Sequence, residues 1–454
     1  MFESRNPVTG EVLASFPIST SGELDRSLEN GAAAFRTWKH LTIEERSAAI
    51  RRLAELLRSQ SDALSATITL EMGKPIQQAR GEIDKCAWLC DFYADNAADF
   101  LQSESIAAGY PKSYIRYDPL GGVLGVMPWN FPFWQALRYA VPAVLAGNIA
   151  FLKPAPNVPQ CASHLVRLFA EATQRLHILQ SLFLQNDQVE AVLAHPFVQG
   201  VALTGSDRAG SAVAALAGQY LVKSVLELGG SDAFIVLPDA DLDRAVETAV
   251  ASRMNNTGQT CIAAKRFIVP EDIFHDFLER VVVRVQDLRQ GDPTLEETDL
   301  GPLARPDLKE QLSRQVQASL SQGARLVWSG PEPAFPGGAF YAARVLTDIA
   351  PGSPAWEEEL FGPVATVYRV RDAQEAVQLA NNSAYGLGAA LWTADLELAD
   401  KLAGRLQAGA VAINGLVKSD PHLPFGGVKR SGYGRELGQA GIREFVNIKA
   451  VVYH

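Results

Sequence analysis

The chain has 454 residues, which is enough for about three folding units of ordinary size. Hydrophobic residues make up 47% of it and charged residues 20%, so the composition excludes a disordered, collagen-like or low-complexity protein. The 41 Lys and Arg residues against 51 Asp and Glu residues give a net charge of −10. This acidic balance argues against a protein that binds nucleic acid or anionic membranes, because both partners require a basic surface.

The cysteines and histidines give no sign of a disulfide framework or a metal site. Four cysteines, none in a CxxC pair, indicate a reducing compartment, and we predict a cytoplasmic protein. The seven histidines form neither an HExxH motif nor a Cys/His cluster, so no metal is predicted. The N-terminal sequence MFESRNPVTGEV lacks the apolar stretch of a signal peptide. The longest apolar region, residues 139–152, is shorter than the ~18 residues that a membrane span requires.

Residues 21–100 show the spacing of amphipathic helices, with a capping box predicted at Thr42 and Glu45. Short strands follow, and strands then alternate with helices, one of which is predicted over residues 158–175. This alternation predicts βαβ units in parallel, doubly wound sheets, and the length favours two such layers. The Pro- and Gly-rich segment 331–341 is predicted to be a surface connection.

Cys261 is a candidate nucleophile because it follows the turn-like sequence Thr-Gly-Gln-Thr, which could present its thiol in a cleft. A free cysteine has a pKa of ~8.5, so a catalytic thiol needs a polar or electropositive setting. On these residues alone, a buried structural cysteine remains the alternative. Cys86, Cys90 and Cys161 are predicted to be core residues.

Glu227 and Asn130 are candidates for base and oxyanion chemistry. Glu227 interrupts the apolar run of SVLELGGSD, where burial would raise its pKa towards the range of a general base. A salt bridge at the sheet edge is the alternative. Asn130 lies between two prolines, where its amide could donate to a developing oxyanion, although asparagine there is often a turn residue.

A dinucleotide site is indicated without its usual fingerprint. No GxGxxG motif follows a predicted strand. Instead, the sequence TGSDRAG at residues 204–210 follows the strand VQGVAL and begins a helix, whose N-terminus could hold a phosphate. Lys153, at the end of IAFLKP, could contribute a positive charge or a hydroxyl contact.

These motifs, with EELFGPV at residues 358–364 and PFGGVKRSGYGRELG at residues 424–438, resemble the aldehyde dehydrogenase superfamily over essentially the whole chain. Within it, the sequence is most similar to bacterial NAD(P)-dependent succinate-semialdehyde dehydrogenases. The resemblance implies an α/β fold with two doubly wound parallel-sheet domains and a small β oligomerisation arm, which would form a homodimer or homotetramer. The implied segments are 1–100 and 120–228 for the NAD(P)-binding domain, 229–430 for the catalytic domain, and 101–119 and 431–454 for the arm.

The resemblance also implies the reaction and its residues. An aldehyde would be oxidised to its carboxylic acid through a thiohemiacetal and a thioester on Cys261, with Asn130 stabilising the oxyanion and Glu227 activating water. NAD or NADP is the implied cofactor. Its contacts would be Trp129, Lys153, Pro156, Gly205, Ser206, Leu228, Glu359 and Phe361. Pro156 stands where NAD-preferring members often have Glu, so we expect NADP to be tolerated as well as NAD.

The implied substrate is succinic semialdehyde. Arg138 stands at the expected substrate tunnel, where a guanidinium group suits a carboxylate, although a structural salt bridge is the alternative. Asn255 stands where several such enzymes have a second Arg. Ser419 is expected to assist Arg138, and the apolar walls are expected to be Phe131, Trp134 and Phe425.

Three other functions remain open from the sequence. The first is a dehydrogenase for another small or neutral aldehyde. The second is a dehydrogenase that passes the acyl group to coenzyme A, which generally lacks a residue like Glu227. The third is a cysteine hydrolase that needs no cofactor and uses a histidine such as His195 or His422.

Overall fold

The computed structural model describes residues 1–331 and 338–454. Residues 332–337, within the predicted surface connection, lie outside the described residues. The helices, in chain order, are α1 (Ser21–Trp38), α2 (Ile43–Ser59), α3 (Ser61–Met72), α4 (Ile76–Leu101), α5 (Pro132–Leu145), α6 (Pro159–Thr173), α7 (Val189–Leu193), α8 (Asp207–Tyr220), α9 (Leu242–Met254), α10 (Glu271–Gln286), α11 (Pro306–Ser321), α12 (Pro354–Glu357), α13 (Ala373–Asn381), α14 (Leu396–Ala403) and α15 (Gly438–Glu444).

The strands are mostly short, as expected for α/β units. In chain order they are β1 (Phe2–Arg5), β2 (Val12–Phe16), β3 (Glu104–Ser105), β4 (Lys112–Pro119), β5 (Gly122–Val126), β6 (Ile149–Lys153), β7 (Leu179–Ser181), β8 (Val198–Thr204), β9 (Lys223–Glu227), β10 (Asp232–Val236), β11 (Ala264–Pro270), β12 (Arg325–Ser329), β13 (Arg344–Thr347), β14 (Val364–Val370), β15 (Tyr385–Gly386), β16 (Gly388–Trp392), β17 (Ala410–Ile413), β18 (Val428–Lys429), β19 (Gly432–Tyr433) and β20 (Val446–Tyr453).

Helix α2 begins where its sequence predicts. The Thr42 side chain accepts a hydrogen bond from the Glu45 amide, and the Glu45 carboxylate accepts one from the Thr42 amide, which confirms the predicted capping box. The helix buries Ile50, Leu53 and Leu57 on one face. That face packs against α4, so local capping and helical periodicity together fix this part of the fold.

Two large sheets confirm the predicted fold class. One sheet has the order β19-β9-β8-β5-β6-β7 and the other β12-β13-β14-β11-β10-β16-β17. Within each sheet the neighbours pair in parallel, except β19 with β9 and β12 with β13. Helices cover both layers, and the all-buried strands β6, β10 and β16 are nearly continuous apolar runs, as parallel sheets require.

A third, antiparallel sheet has the order β20-β4-β3. It uses parts of both segments that were expected to form the arm. The C-terminal segment also contributes elsewhere, because β19 pairs with β9 in the six-stranded sheet and α15 packs on α4 and α5. The division into domains therefore stays a prediction, and only β20 of that segment adds to the third sheet. Among the described residues, no helix combines the length and apolar character needed to cross a membrane.

The six-stranded sheet sets the position of the candidate site. Strands β5, β8 and β9 are neighbours, and their carboxyl ends lead into Pro128–Asn130, Gly205–Ser206 and Leu228–Gly229, respectively. Ligands of open α/β sheets bind beyond the carboxyl ends of the strands. The turn that contains Cys261 comes from the other layer, just before β11.

Candidate active site

The turn before Cys261 is held against two other motifs. After α9, Asn256, Thr257 and Gly258 all have positive φ angles of 53°, 54° and 74°. Glycine is required at the last of these, since a Cβ there would collide with the backbone carbonyl of Gly362. The Asn256 amide donates to the carbonyl of Asn130 at 2.9 Å. The three motifs around residues 130, 261 and 362 therefore form one packed unit.

Cys261 lies where two cavities meet. A cavity of about 410 Å³ and another of about 460 Å³ are both lined by Cys261, and no other described residue lines both. The other three cysteines are fully buried in the core, as predicted, whereas Cys261 is partly exposed. A thiol at the junction of two cavities can meet one molecule from each side, which is the arrangement that a reaction between two bound molecules requires.

The electrostatic setting of Cys261 combines burial with nearby cations. Burial raises the pKa of the Cys261 thiol to about 11, while the charges of Lys265 and Arg138 act in the opposite direction. Lys265 Nζ donates to the carbonyls of Cys261 at 2.6 Å and Thr260 at 3.0 Å, and it pairs with Glu359 at 2.9 Å. The thiol is therefore protonated at neutral pH and needs a proton acceptor before it attacks a carbonyl.

Two hydrogen-bond donors face the region of Cys261. The Asn130 amide nitrogen donates one proton to the carbonyl of Gln259 at 3.0 Å, which leaves its second proton for another acceptor. The backbone N–H of Cys261 donates no hydrogen bond within the described part of the chain. A pair of donors beside a nucleophile is the composition of an oxyanion hole.

Glu227 is a buried carboxylate without hydrogen bonds. Its side chain ends strand β9, the residue is 2% exposed, and neither carboxylate oxygen has a partner among the described residues. Burial raises the pKa of Glu227 well above its ordinary value, against the nearby charge of Arg138. A Cβ at Gly426 would lie 2.7 Å from Oε1 of Glu227, so this glycine makes room for the carboxylate. An unpaired carboxylate of raised pKa has the properties of a general base.

Six of the eight predicted cofactor residues line the larger cavity. They lie on both layers and are Trp129, Gly205, Ser206, Leu228, Glu359 and Phe361. The other two differ: among the described residues, Lys153 and Pro156 line neither of the two cavities that meet at Cys261. Lys153 is buried at the end of β6, and Pro156 lines a separate cavity with Arg305.

The larger cavity has the features that a dinucleotide needs. Helix α8 begins at its wall, where Gly205 and Ser206 precede the first turn and Ser206 caps it through the Ala209 amide. The positive end of this helix suits a pyrophosphate. Trp129 and Phe361 form an edge-to-face pair with ring centroids 5.8 Å apart, which offers an apolar surface to a flat ring. The nicotinamide ring of such a cofactor supplies a two-electron acceptor when it is bound.

All five predicted substrate residues line the smaller cavity, namely Phe131, Trp134, Arg138, Ser419 and Phe425. Arg138, however, already has an acidic partner. It forms an ion pair with Glu436, donates to Thr204 Oγ1 at 3.3 Å, and lies over the Phe425 ring. The structural salt bridge that the sequence left open is thus present.

Three lysines of the site were missed by the sequence reasoning, one of which, Lys418, lines the smaller cavity beside Ser419. Lys85 lines the smaller cavity from α4, and Lys265 holds the turn of Cys261. A helical-face argument could have found Lys85, since Gln78, Glu82 and Lys85 recur at helical spacing and all line the cavity. No sequence pattern indicated the role of Lys265, because its ion-pair partner Glu359 is distant in sequence.

The positions of the histidines argue against a cysteine hydrolase that works without a cofactor. Within residues 1–331 and 338–454, no histidine lines either cavity that contains Cys261. His422 instead hydrogen-bonds with Asp420 at 2.8 Å and packs on Phe92. A Cys–His pair of the hydrolase type is therefore not formed.

Comparisons with known proteins agree with this geometry. A family model described as "Aldehyde dehydrogenase family" matches residues 1–451. The chain is 45% identical over 446 residues to a probable succinate-semialdehyde dehydrogenase [NADP(+)] of Synechocystis, covering 98% of each chain. It is 46% identical over 448 residues to the succinate semialdehyde dehydrogenase [NAD(P)+] Sad of Escherichia coli, covering 99% of this chain and 97% of that one.

A solved structure of a related enzyme has nearly the same fold as this chain. The succinic semialdehyde dehydrogenase from Streptococcus pyogenes, in complex with NADP+, superposes with a TM-score of 0.97 at 37% identity and covers 100% of both chains. Sequence, fold and site geometry thus lead to the same assignment. The chain belongs to the aldehyde dehydrogenase family.

Proposed function

We propose that this chain oxidises succinic semialdehyde to succinate with NADP or NAD. The observation that carries the substrate assignment is the charge of the smaller cavity. Its ionisable lining comprises Lys85, Arg138 and Lys418, of which Arg138 is already paired with Glu436, against a single acid, Glu82. That acid is already engaged, because it pairs with a buried lysine and accepts hydrogen bonds from the first amides of α5. A cavity with excess positive charge beside the nucleophile favours an aldehyde that carries a carboxylate.

The chemistry follows from Cys261 at the junction of the two cavities, from Asn130 in the wall of the larger cavity, and from the buried Glu227, which lines neither. The Cys261 thiol first loses its proton to solvent, the thiolate sulfur then attacks the aldehyde carbon, and the oxyanion is stabilised by the Asn130 amide and the Cys261 backbone N–H. With a nicotinamide cofactor bound as the two-electron acceptor, oxidation of this thiohemiacetal would leave a thioester on Cys261. Glu227, once ionised, takes a proton from a water whose oxygen attacks the thioester carbon, and the thiolate leaves as the acid is released. The buried Glu227 also favours hydrolysis over transfer to coenzyme A.

The relatives support the same substrate and cofactor. The Synechocystis and E. coli proteins are named for succinate semialdehyde and for NADP(+) or NAD(P)+, and the S. pyogenes structure contains NADP+.

A substrate panel with both cofactors tests the proposal. We expect the highest kcat/KM for succinic semialdehyde among malonic, succinic and glutaric semialdehydes and neutral aliphatic and aromatic aldehydes. Reduced cofactor is measured by absorbance, and turnover is expected with NADP as well as with NAD. Equal kcat/KM values for neutral and carboxylated aldehydes would instead favour a general aldehyde dehydrogenase, for which the aromatic walls of the cavity are suited.

We further propose a homodimer or homotetramer that works in the cytoplasm. Strand β20 lies at the edge of the three-stranded sheet and exposes Ile448, Val452 and Tyr453. An apolar edge strand is a ready template for pairing with a second chain. Light scattering coupled to gel filtration is expected to give at least twice the chain mass of 49.1 kDa, whereas a monomer at micromolar concentration contradicts this assembly.

A further inference from the structure

Arg138 and Lys85 are the two basic side chains enclosed by the smaller cavity, and they differ in how freely they can bind an anion. Arg138 is 1% exposed and its charge is matched by Glu436 in an ion pair. A guanidinium group that already binds a carboxylate can accept a second one only by giving up part of the first interaction. Arg138 is therefore a poor sole receptor for the substrate carboxylate.

Lys85 has no such acidic partner. It reaches the cavity from α4, and its Nζ donates to Ser419 Oγ at 2.7 Å while it lies 4.1 Å from the ring centroid of Trp134. Among the described residues, no carboxylate oxygen lies within ion-pairing distance of Lys85 Nζ. Burial lowers the pKa of Lys85 to about 8, and the charge of Arg138 acts in the same direction. A lysine in this setting gains from a bound anion.

The nearby acids do not neutralise Lys85. Glu82, one turn earlier on α4, pairs with Lys74 and accepts the amides of Phe133 and Trp134. Asp420, next to Ser419, hydrogen-bonds with His422 at 2.8 Å. Both acids make their hydrogen bonds to other groups, so they attract Lys85 only through space and neither forms a direct ion pair with it.

Ser419 completes a receptor for a carboxylate. It is 4% exposed, and its oxygen accepts from Lys85. A hydroxyl group can accept from a lysine and still donate its own proton, and the ammonium group has two further protons. Two adjacent donors, one of them charged, match the two oxygens of a carboxylate. The aromatic side chains that line the same cavity as this pair and Cys261 suit a short methylene chain.

On the basis of the proposed function, we infer that Lys85 and Ser419 bind the substrate carboxylate and that Lys85 sets the preference for an acidic aldehyde. Arg138 acts as a positioning residue that holds Glu436 and the cavity wall. Lys85 lies far in sequence from every motif of the site, yet among the described residues it is the enclosed cation of the cavity wall that lacks an ion pair, whereas Lys418 of the same wall is exposed.

The test compares two substrates that differ only in charge. Succinic semialdehyde is paired with 4-methylpentanal, in which two methyl groups replace the carboxylate oxygens. Lys85→Met is expected to lower kcat/KM for succinic semialdehyde about 10- to 100-fold, mainly through KM, because one charged hydrogen bond is lost. The kcat/KM for 4-methylpentanal is expected to stay within about twofold or to rise. Lys85→Arg should recover part of the loss, and Ser419→Ala should show a smaller loss of the same selectivity.

Arg138→Met is the contrasting variant. It leaves Glu436 buried without its partner, so we expect it to impair both substrates alike. Loss of the preference in Arg138→Met together with its retention in Lys85→Met would overturn the inference. Unchanged selectivity in both Lys85→Met and Ser419→Ala would overturn it as well.

A binding measurement separates this inference from the proposed function. Calorimetry on the protein without substrate turnover should show weaker binding of succinate to Lys85→Met, with binding of the neutral amide 4-methylpentanamide unchanged. If the wild-type enzyme shows no preference for succinic semialdehyde over 4-methylpentanal, the proposed function fails on wild-type data alone. If the wild-type preference exists and Lys85→Met retains both it and succinate affinity, the proposed function stands and the role of Lys85 is refuted.

Discussion

Replacing Cys261 with Ala is expected to reduce the rate of aldehyde oxidation by more than about a thousandfold, because no covalent intermediate can form. The dissociation constant of NADP should change little, since the thiol occupies only the junction of the two cavities. Steady-state kinetics and calorimetry measure these two quantities. A variant that retains more than a tenth of the wild-type rate contradicts the nucleophilic role of Cys261.

Thiol labelling provides a matched control for this variant. Cys86, Cys90 and Cys161 are fully buried, and Cys261 alone among the four cysteines is partly exposed. Native wild-type protein should therefore take up iodoacetamide once per chain, and native Cys261→Ala should take up none. Since the pKa of Cys261 is about 11, the labelling rate should rise about tenfold per pH unit between pH 8 and pH 10. Mass spectrometry of both proteins, folded and unfolded, distinguishes the sites.

Local patterns predicted much of the fold because the residues that interact in these elements lie close to one another in the sequence. The capping box at Thr42 and Glu45 involves residues three apart, and its prediction is confirmed. The helix expected over residues 158–175 is observed as Pro159–Thr173, with proline at its first position. Most of the side chains that the family motifs identified likewise line the two cavities, with the exceptions of Lys153, Pro156 and Glu227, since each motif is a contiguous turn at the end of a strand or before one.

Partnerships between distant residues could not be predicted in this way. The sequence marked Arg138 as an available cation, but Glu436 lies near the other end of the chain and neutralises it. Lys85 was overlooked because its contact with Ser419 exists only after α4 and the segment before Pro424 pack together. The local sequence does not indicate which charged side chains remain without an ion-pair partner after folding. That property decides ligand recognition, and it depends on the tertiary structure.

Glu227→Gln is expected to separate the two halves of the reaction. The first turnover should proceed and give a burst of reduced cofactor, because acylation requires Cys261 and the oxyanion donors. Steady-state turnover should fall about a hundredfold or more, since no base remains to activate water. Rapid-mixing absorbance measures the burst, and mass spectrometry of the quenched enzyme should find an acyl group on Cys261. If the burst is lost together with the steady state, Glu227 acts before the thioester forms, and its assignment to hydrolysis is wrong.

The same substitution is expected to raise the melting temperature of the protein above pH 5. The pKa of Glu227 in the folded protein is raised well above its ordinary value of 4.5 by burial. Between these two values the folded state binds more protons than the unfolded state, so the contribution of Glu227 to stability falls as pH rises. Glutamine carries no such penalty, although it fills the same space. The difference in Tm between Glu227→Gln and wild type should therefore be small near pH 4.5, widen with increasing pH, and become constant above the folded-state pKa.

The exposed Glu55 on α2 supplies the control for this pH dependence. Glu55→Gln should follow the wild-type Tm at every pH, because the carboxylate of an exposed residue loses little hydration on folding. A Tm difference for Glu227→Gln that does not depend on pH would show that the carboxylate is solvated in the folded protein. The expected outcome is a variant that is more stable and almost inactive, because a desolvated carboxylate that serves as a base is unfavourable for folding.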